Sequence, residues 1–163
     1  MTQDPTFKGV LTHPEGSVPL GGFAYPTSVK LAEAVTRAEA ANAARTLTDM
    51  CHRPAKVAGW WTDMATGEAL TIDTPRFVVE KLCLVHSEIS EAMEGHRKGL
   101  MDDKLPHRTM LEVELADAVI RIFDMAGGFG LDVAGAIAQK LEFNRTRADH
   151  QLANRRAVGG KEF

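Results

Sequence analysis

At 163 residues the chain has room for one compact domain and too little for two. Its 44% hydrophobic and 25% charged content are those of an ordinary globular protein. A net charge of -3 supplies no general attraction to nucleic acid, and no apolar run approaches the roughly 18 to 20 residues of a membrane span. The N-terminus lacks a charged-then-apolar leader pattern, and Cys51 and Cys83 have neither Cys-x-x-Cys spacing nor a neighbouring His pattern. A cytoplasmic protein with reduced thiols, no membrane contact and no nucleic-acid partner is expected.

Residues 1–26 hold Pro5, Pro14, Pro19, Pro26 and Gly21-Gly22 without helical period, which predicts an irregular arm. A single all-α domain is expected over 27–163. From Thr27 an alanine-rich stretch favours helix, with Val29, Leu31, Ala32, Val35, Leu47 and Met50 on its apolar side, until Pro54 kinks or ends it. The segment after it, with Gly59, Gly67, Asp63 and Asp73, reads as a long exposed loop.

Thr74-Pro75 predicts the next helix start, Thr as N-cap and Pro at the first helical position. The helix runs to about Gly95, and Val78, Leu82, Val85, Ile89 and Met93 recur at three- and four-residue steps as its buried stripe. Gly99 to His107 is a polar connector suited to an antiparallel turnaround. A helix over about Arg108 to Ala126 is predicted to bury Leu111, Leu115, Val119, Ile122 and Phe123 and to stop at Gly127-Gly128. A last helix from about Leu131 buries Ala134, Ile137, Ala138 and Leu141. Four helices on short links predict a four-helix-bundle-like all-α fold with its site built from inward polar residues.

Two acidic pairs stand out, Glu88-x-x-Glu91 and Glu114-x-x-Asp117, with 22 residues between Glu91 and Glu114. Three residues is nearly one helical turn, so each pair projects from one helix face. On antiparallel neighbours the four carboxylates meet, raise one another's pKa and oppose folding unless a cation joins them. Magnesium takes oxygen ligands, keeps several waters and is completed by substrate phosphates, which fits a half-cage of carboxylates. The pattern predicts a metal-dependent enzyme acting on a phosphorylated ligand. The bland alternative is two solvated acidic faces.

With these motifs the chain resembles the MazG-like nucleotide pyrophosphohydrolases of the all-α NTP pyrophosphatase superfamily, whose signature is Glu-x-x-Glu, a variable gap, then Glu-x-x-Asp. The resemblance covers Thr48 to the C-terminus and includes three accessory features. Asp124 follows Asp117 by two turns, where relatives tend to carry Asn or Asp. Lys140, Asn144 and Arg147 are similar to the family's Lys-x-x-x-Asn with a following Arg, and Gly59-Trp60-Trp61 resembles a loop of a phage and bacterial branch. The resemblance implies hydrolysis of a (d)NTP between the α and β phosphates, giving a monophosphate and pyrophosphate, in nucleotide-pool control or house-cleaning. It implies a homodimer or homotetramer. Glu88, Glu91, Glu114 and Asp117 would hold Mg2+, with Mn2+ as substitute, and any of them could take the proton of the attacking water.

Several residues carry two readings. Asp124 is either a further metal ligand or an ion-pair partner of Arg121, which lies between it and Asp117. Lys81, two turns before Glu88, either reaches phosphate or neutralises the acids. Lys140, Asn144 and Arg147 share a helix face suited to phosphate oxygens, against a plain solvated face. Of Trp60 and Trp61, one is core and the other, with Trp61 the candidate, can stack on a base. His86 points away from the acids as a structural histidine, and the tail cations Arg155, Arg156 and Lys161 either close over the triphosphate or, the reading preferred, form an ordinary solvated end. Two rival classes remain. A ferritin-like di-metal protein would need Glu-x-x-His pairs that the chain lacks, and a non-catalytic helical interaction module would leave its acids facing water.

Overall fold

The computed structural model describes residues 37–160; the predicted arm over 1–26, the helix start at Thr27 and the tail cation Lys161 lie outside them. The described residues form an all-α fold in five helices with no strand: α1 Arg37–Val57, α2 Phe77–Lys98, α3 Met110–Phe129, α4 Val133–Thr146, a 3-10 turn Ala148–His150 and the short α5 Leu152–Arg156. None of these helices is long and apolar enough to cross a membrane. The central element is α3, which packs along α2 on one side and α1 on the other, while α4 packs on α1. A small apolar cluster of Ala44, Phe123 and Ala134, backed by Cys51, Val133 and Ile137, joins α1, α3 and α4.

Local chemistry explains most of the boundaries. Thr109 starts α3 with a capping box, its hydroxyl accepting from the Glu112 amide while the Glu112 carboxylate accepts from the Thr109 amide. Gly99 and Gly130 end α2 and α3 in the left-handed region, at φ 64° and 65°, where a side chain would be strained. The polar connector between them turns the chain back, pinned by Met110 N donating to Leu100 O and Asp102 N to Arg108 O. Lys81 thus lies beside Asp124, Glu88 beside Arg121 and Gly95 beside Met110, so α2 and α3 run antiparallel as predicted.

Three expectations are corrected. Gly127-Gly128 does not stop α3; both lie inside it, and a Cβ there would fall 2.5 Å from His52 Cβ and 2.0 Å from the Trp61 ring, respectively. Their service is close approach of α1 and the loop to the helix backbone. Thr74-Pro75 does not open α2, because the Thr74 hydroxyl is used one turn earlier, accepting from Thr71 N, and Arg76 sits at φ 66° before Phe77 begins the helix. Pro54, expected to kink or end α1, falls in its last turn, and the helix ends at Val57.

The largest correction concerns the apolar stripes. On α2 the buried residues are Phe77, Glu88, Ala92 and Gly95, whereas Leu82, Ile89 and Met93 are exposed and Val78 and Val85 are half-buried. On α3 they are Glu114, Ala118, Phe123, Asp124 and Ala126, with Leu115 and Val119 exposed. Leu47 and Met50 of α1 and Leu141 of α4 are exposed as well. Small residues in the α2/α3 seam bring the helices together, and the seam is centred on the acids rather than on the neighbouring apolar rows.

Candidate metal centre

The acids of the two pairs converge. One ligand oxygen from each of Glu88, Glu91 and Glu114 lies within 4.8 Å of the others, a spacing that a single cation can join. Asp117 lines the same open cleft of about 390 Å³. Glu88 and Glu114 are buried, Asp117 is half-buried and Glu91 is exposed at the mouth. Burying carboxylates is costly unless they are paired or bonded, and the supply of donors here is thin. Arg121 Nε donates to Glu88 Oε1 at 2.6 Å, the one ion pair reaching across the seam into the cluster among the described residues. Of the two readings of Asp124, the one that pairs it with Arg121 along the helix is therefore not what the structure shows.

Electrostatics follow from that shortage. Burial, then a hydrogen bond with Glu88 and the charges of Glu91, Glu88 and Asp117, push the Glu114 carboxyl up to about 7. Burial and the Glu88 charge also raise Asp117, against a lowering by Arg121. A donor set made only of carboxylate oxygens suits a hard cation such as magnesium or manganese, and neutralisation by that cation is the chemistry the raised pKa values call for. The residues present fit the metal.

Two cleft residues were not singled out in the sequence. Asp102, buried in the connector, contributes a fifth carboxylate; its Oδ1 accepts from the amides of Lys104 at 3.0 Å and Leu105 at 2.5 Å. Lys104 lines the cleft with its ammonium on Asp103, Nζ to Oδ1 3.2 Å. The only cue in the sequence was an acidic residue in a loop that must close beside the acidic helices.

Asp124 lies in a different cluster. Its Oδ1 accepts from Trp61 Nε1 at 2.7 Å and bonds His52 Nδ1 at 3.0 Å, and its Oδ2 accepts from Lys81 Nζ at 3.2 Å. With both oxygens occupied, it is neither a member of the metal-spaced group nor the partner of Arg121. Lys81 is accordingly tied to Asp124 rather than to the four acids, and its ammonium also sits 4.4 Å from the Trp61 ring centroid. Trp61 is the core member of its pair, buried edge-to-face against His52, Phe77 and Phe129, so its ring is not open for stacking, while Trp60 is exposed.

The remaining sequence candidates do not line the acidic cleft. Lys140 is exposed, its Nζ 4.8 Å from the Phe143 ring centroid. Arg147 forms a two-point pair with Asp149, and the buried Asn144 Oδ1 has no hydrogen-bond partner. His86 is exposed rather than a satisfied internal histidine. The loop after α1 is long and largely exposed as expected, and it is folded back on itself by a tight turn. Asp63 Oδ1 accepts from the amides of Ala65 and Thr66, Leu70 N donates to Trp61 O, and the turn thereby delivers Trp61 to the core.

No family model, curated protein or solved structure matches the chain.

Proposed function

We propose that the protein is a magnesium-dependent nucleoside triphosphate pyrophosphohydrolase that cleaves a (d)NTP to (d)NMP and pyrophosphate. The observation that supports it is the meeting of Glu88, Glu91 and Glu114 oxygens within 4.8 Å, with Asp117 in the same cleft. These four residues would hold Mg2+, or Mn2+ in its place. When bound there, such an ion would supply neutralisation of phosphate charge and a lowered pKa for a coordinated water. The chain's own contribution is positional. Antiparallel α2 and α3 fix the carboxylates from two rigid elements, and the capping box and connector set their register. Phosphoryl chemistry asks for such positioning and charge stabilisation more than for a covalent nucleophile, and among the described residues no Ser, Cys or His lines the cleft.

The exposed apolar residues of α2 and α3, Leu82, Ile89, Met93, Leu115 and Val119, support assembly as a homodimer or homotetramer, because one chain leaves them in water. Nucleotide-pool control is the role this activity would serve. The deciding experiment incubates the protein with magnesium and a panel of (d)NTPs and identifies the products. Monophosphate with pyrophosphate is expected, and chelation or Glu91→Gln should stop the reaction. Diphosphate with orthophosphate would reject attack at the α phosphorus, and no turnover on any triphosphate would remove the enzymatic reading.

A further inference from the structure

Five carboxylates line the cleft with two cations, Lys104 and Arg121, and a polyphosphate brings yet more negative charge to it. The Lys104 ammonium is already held by Asp103. Arg121 is different. Only its Nε is used, on Glu88 Oε1 at 2.6 Å, and its two Nη groups have no protein partner among the described residues. Its side chain is 40% exposed while that of Glu88 is 6% exposed, so the guanidinium spans from the buried acid to the solvent side of the cleft. It stands one helical turn beyond Asp117, on the same face of α3.

A guanidinium is planar and rigid, so holding one edge fixes the direction of the other donors. We infer that Arg121 is the phosphate-binding residue of the cleft: its Nε donates to Glu88 while its Nη groups donate to a phosphoryl oxygen of the polyphosphate ligand. This deepens the pyrophosphohydrolase reading and rests on it. It replaces the sequence-based assignment of phosphate binding to Lys81, Lys140 and Arg147, whose cationic ends are engaged elsewhere. A residue serving only as counter-ion to Glu88 would leave phosphate affinity untouched and would, if anything, weaken metal binding by its charge.

The test titrates the full chain with inorganic pyrophosphate in saturating magnesium, and separately with magnesium alone. Wild type is compared with Arg121→Ala and Arg121→Lys, after circular dichroism has checked the fold. Arg121→Ala should bind pyrophosphate about ten- to a hundredfold more weakly, the weight of a lost charge-assisted hydrogen bond. Its affinity for magnesium alone should be equal or higher. Arg121→Lys keeps the charge without the fork, recovers only part of the loss, and carries the test should the alanine variant fail to fold. Pyrophosphate affinity within twofold of wild type in the folded variants overturns the inference and leaves Arg121 a counter-ion. A fall in magnesium affinity that accounts for the pyrophosphate loss overturns it too, because Arg121 would then act through Glu88. Absence of pyrophosphate binding by wild type is a separate result, and it strikes the pyrophosphohydrolase reading itself.

Discussion

Two clusters of charge sit along one seam between α2 and α3, and they are built on opposite plans. Around Asp124 one carboxylate receives three donors, from His52, Trp61 and Lys81, and every element nearby contributes to satisfying it. Two turns away, Glu88, Glu91, Glu114 and Asp117 share a cleft in which, among the described residues, Arg121 alone pairs across to a cluster acid. The first arrangement is closed, since each charge is matched inside the protein. The second is open and lacks positive charge that the fold itself does not supply. Acidic residues at similar helical spacing therefore have different destinations, and the number of donors around each carboxylate separates them.

The comparison breaks most readily at Asp124. Replacement by Ala strands a largely buried Lys81 ammonium, at 12% side-chain exposure, together with the Trp61 indole N–H. Removing one partner of such a pair should cost about 3–5 kcal/mol. Thermal or urea melts of Asp124→Ala should show the largest loss of any substitution in the seam, with the magnesium response retained in whatever remains folded. A variant that melts like wild type would mean that the cluster is ornamental to the fold.

The open cluster should respond in the opposite sense. Magnesium at about 100 times its Kd should add roughly 2.7 kcal/mol to wild type, and the gain should vanish in a Glu88/Glu91 double Gln variant. An equal shift in both would place the ion elsewhere. The gain should also depend on pH. Glu114 is raised from 4.5 to about 7, so the folded protein holds its proton more tightly than the unfolded chain. That contribution to stability is complete below about pH 4.5 and is lost as pH rises through about 7. Without metal, melting temperature should fall across this window, with Asp117 adding in the same direction. Magnesium binding should be weak at pH 5.5, strong at pH 8 and accompanied by proton release. Glu114→Gln should flatten the metal-free slope, and an unchanged slope would exclude Glu114 as its source.

What the sequence made legible was periodic and local. Helical period placed α2, α3 and α4, although the caps read for α2 and α3 are not the ones they use, and the polar connector implied antiparallel neighbours, so the meeting of the acidic pairs could be anticipated from spacing. What it hid depended on contacts between distant segments. Gly127-Gly128 carries the mark of a helix stop, and only the arrival of His52 and Trp61 shows that it is a packing surface. Arg121 has acids three and four residues away on its own helix, yet its partner is Glu88 on the next one. The periodic apolar rows marked a face needing cover without saying that this chain leaves Leu82, Met93 and Leu115 uncovered. Asp102 was missed because a loop residue has no period to betray which way it faces.

A gentler way to sharpen the comparison is to trim the closed cluster at its indole. Trp61→Phe keeps an aromatic ring for His52, Phe77 and Phe129 but removes the donor to Asp124 Oδ1. A hydrogen bond to a charged group contributes about 1.5–3 kcal/mol, so the variant should lose less than Asp124→Ala while keeping the full magnesium gain. Loss of that gain would show that the two clusters communicate.

The smallest effect is expected at the hairpin that carries Trp61 in. Asp63 accepts from the amides of Thr66 and Ala65, and these bonds, Thr66 first, hold its carboxyl below the ordinary value of 3.8. A lowered folded pKa stabilises above the unfolded value and stops doing so as pH falls through the folded one. Asp63→Ala should therefore melt below wild type at neutral pH, by less than Trp61→Phe. The gap should close as pH is lowered through and beyond 3.8. Because the turn touches only the closed cluster, magnesium should raise the melting temperature of Asp63→Ala by as much as it raises that of wild type. A gap that persists in acid would trace the loss to something other than the carboxylate's bonds to the turn, and a reduced magnesium gain would mean that the hairpin supports the open cleft as well.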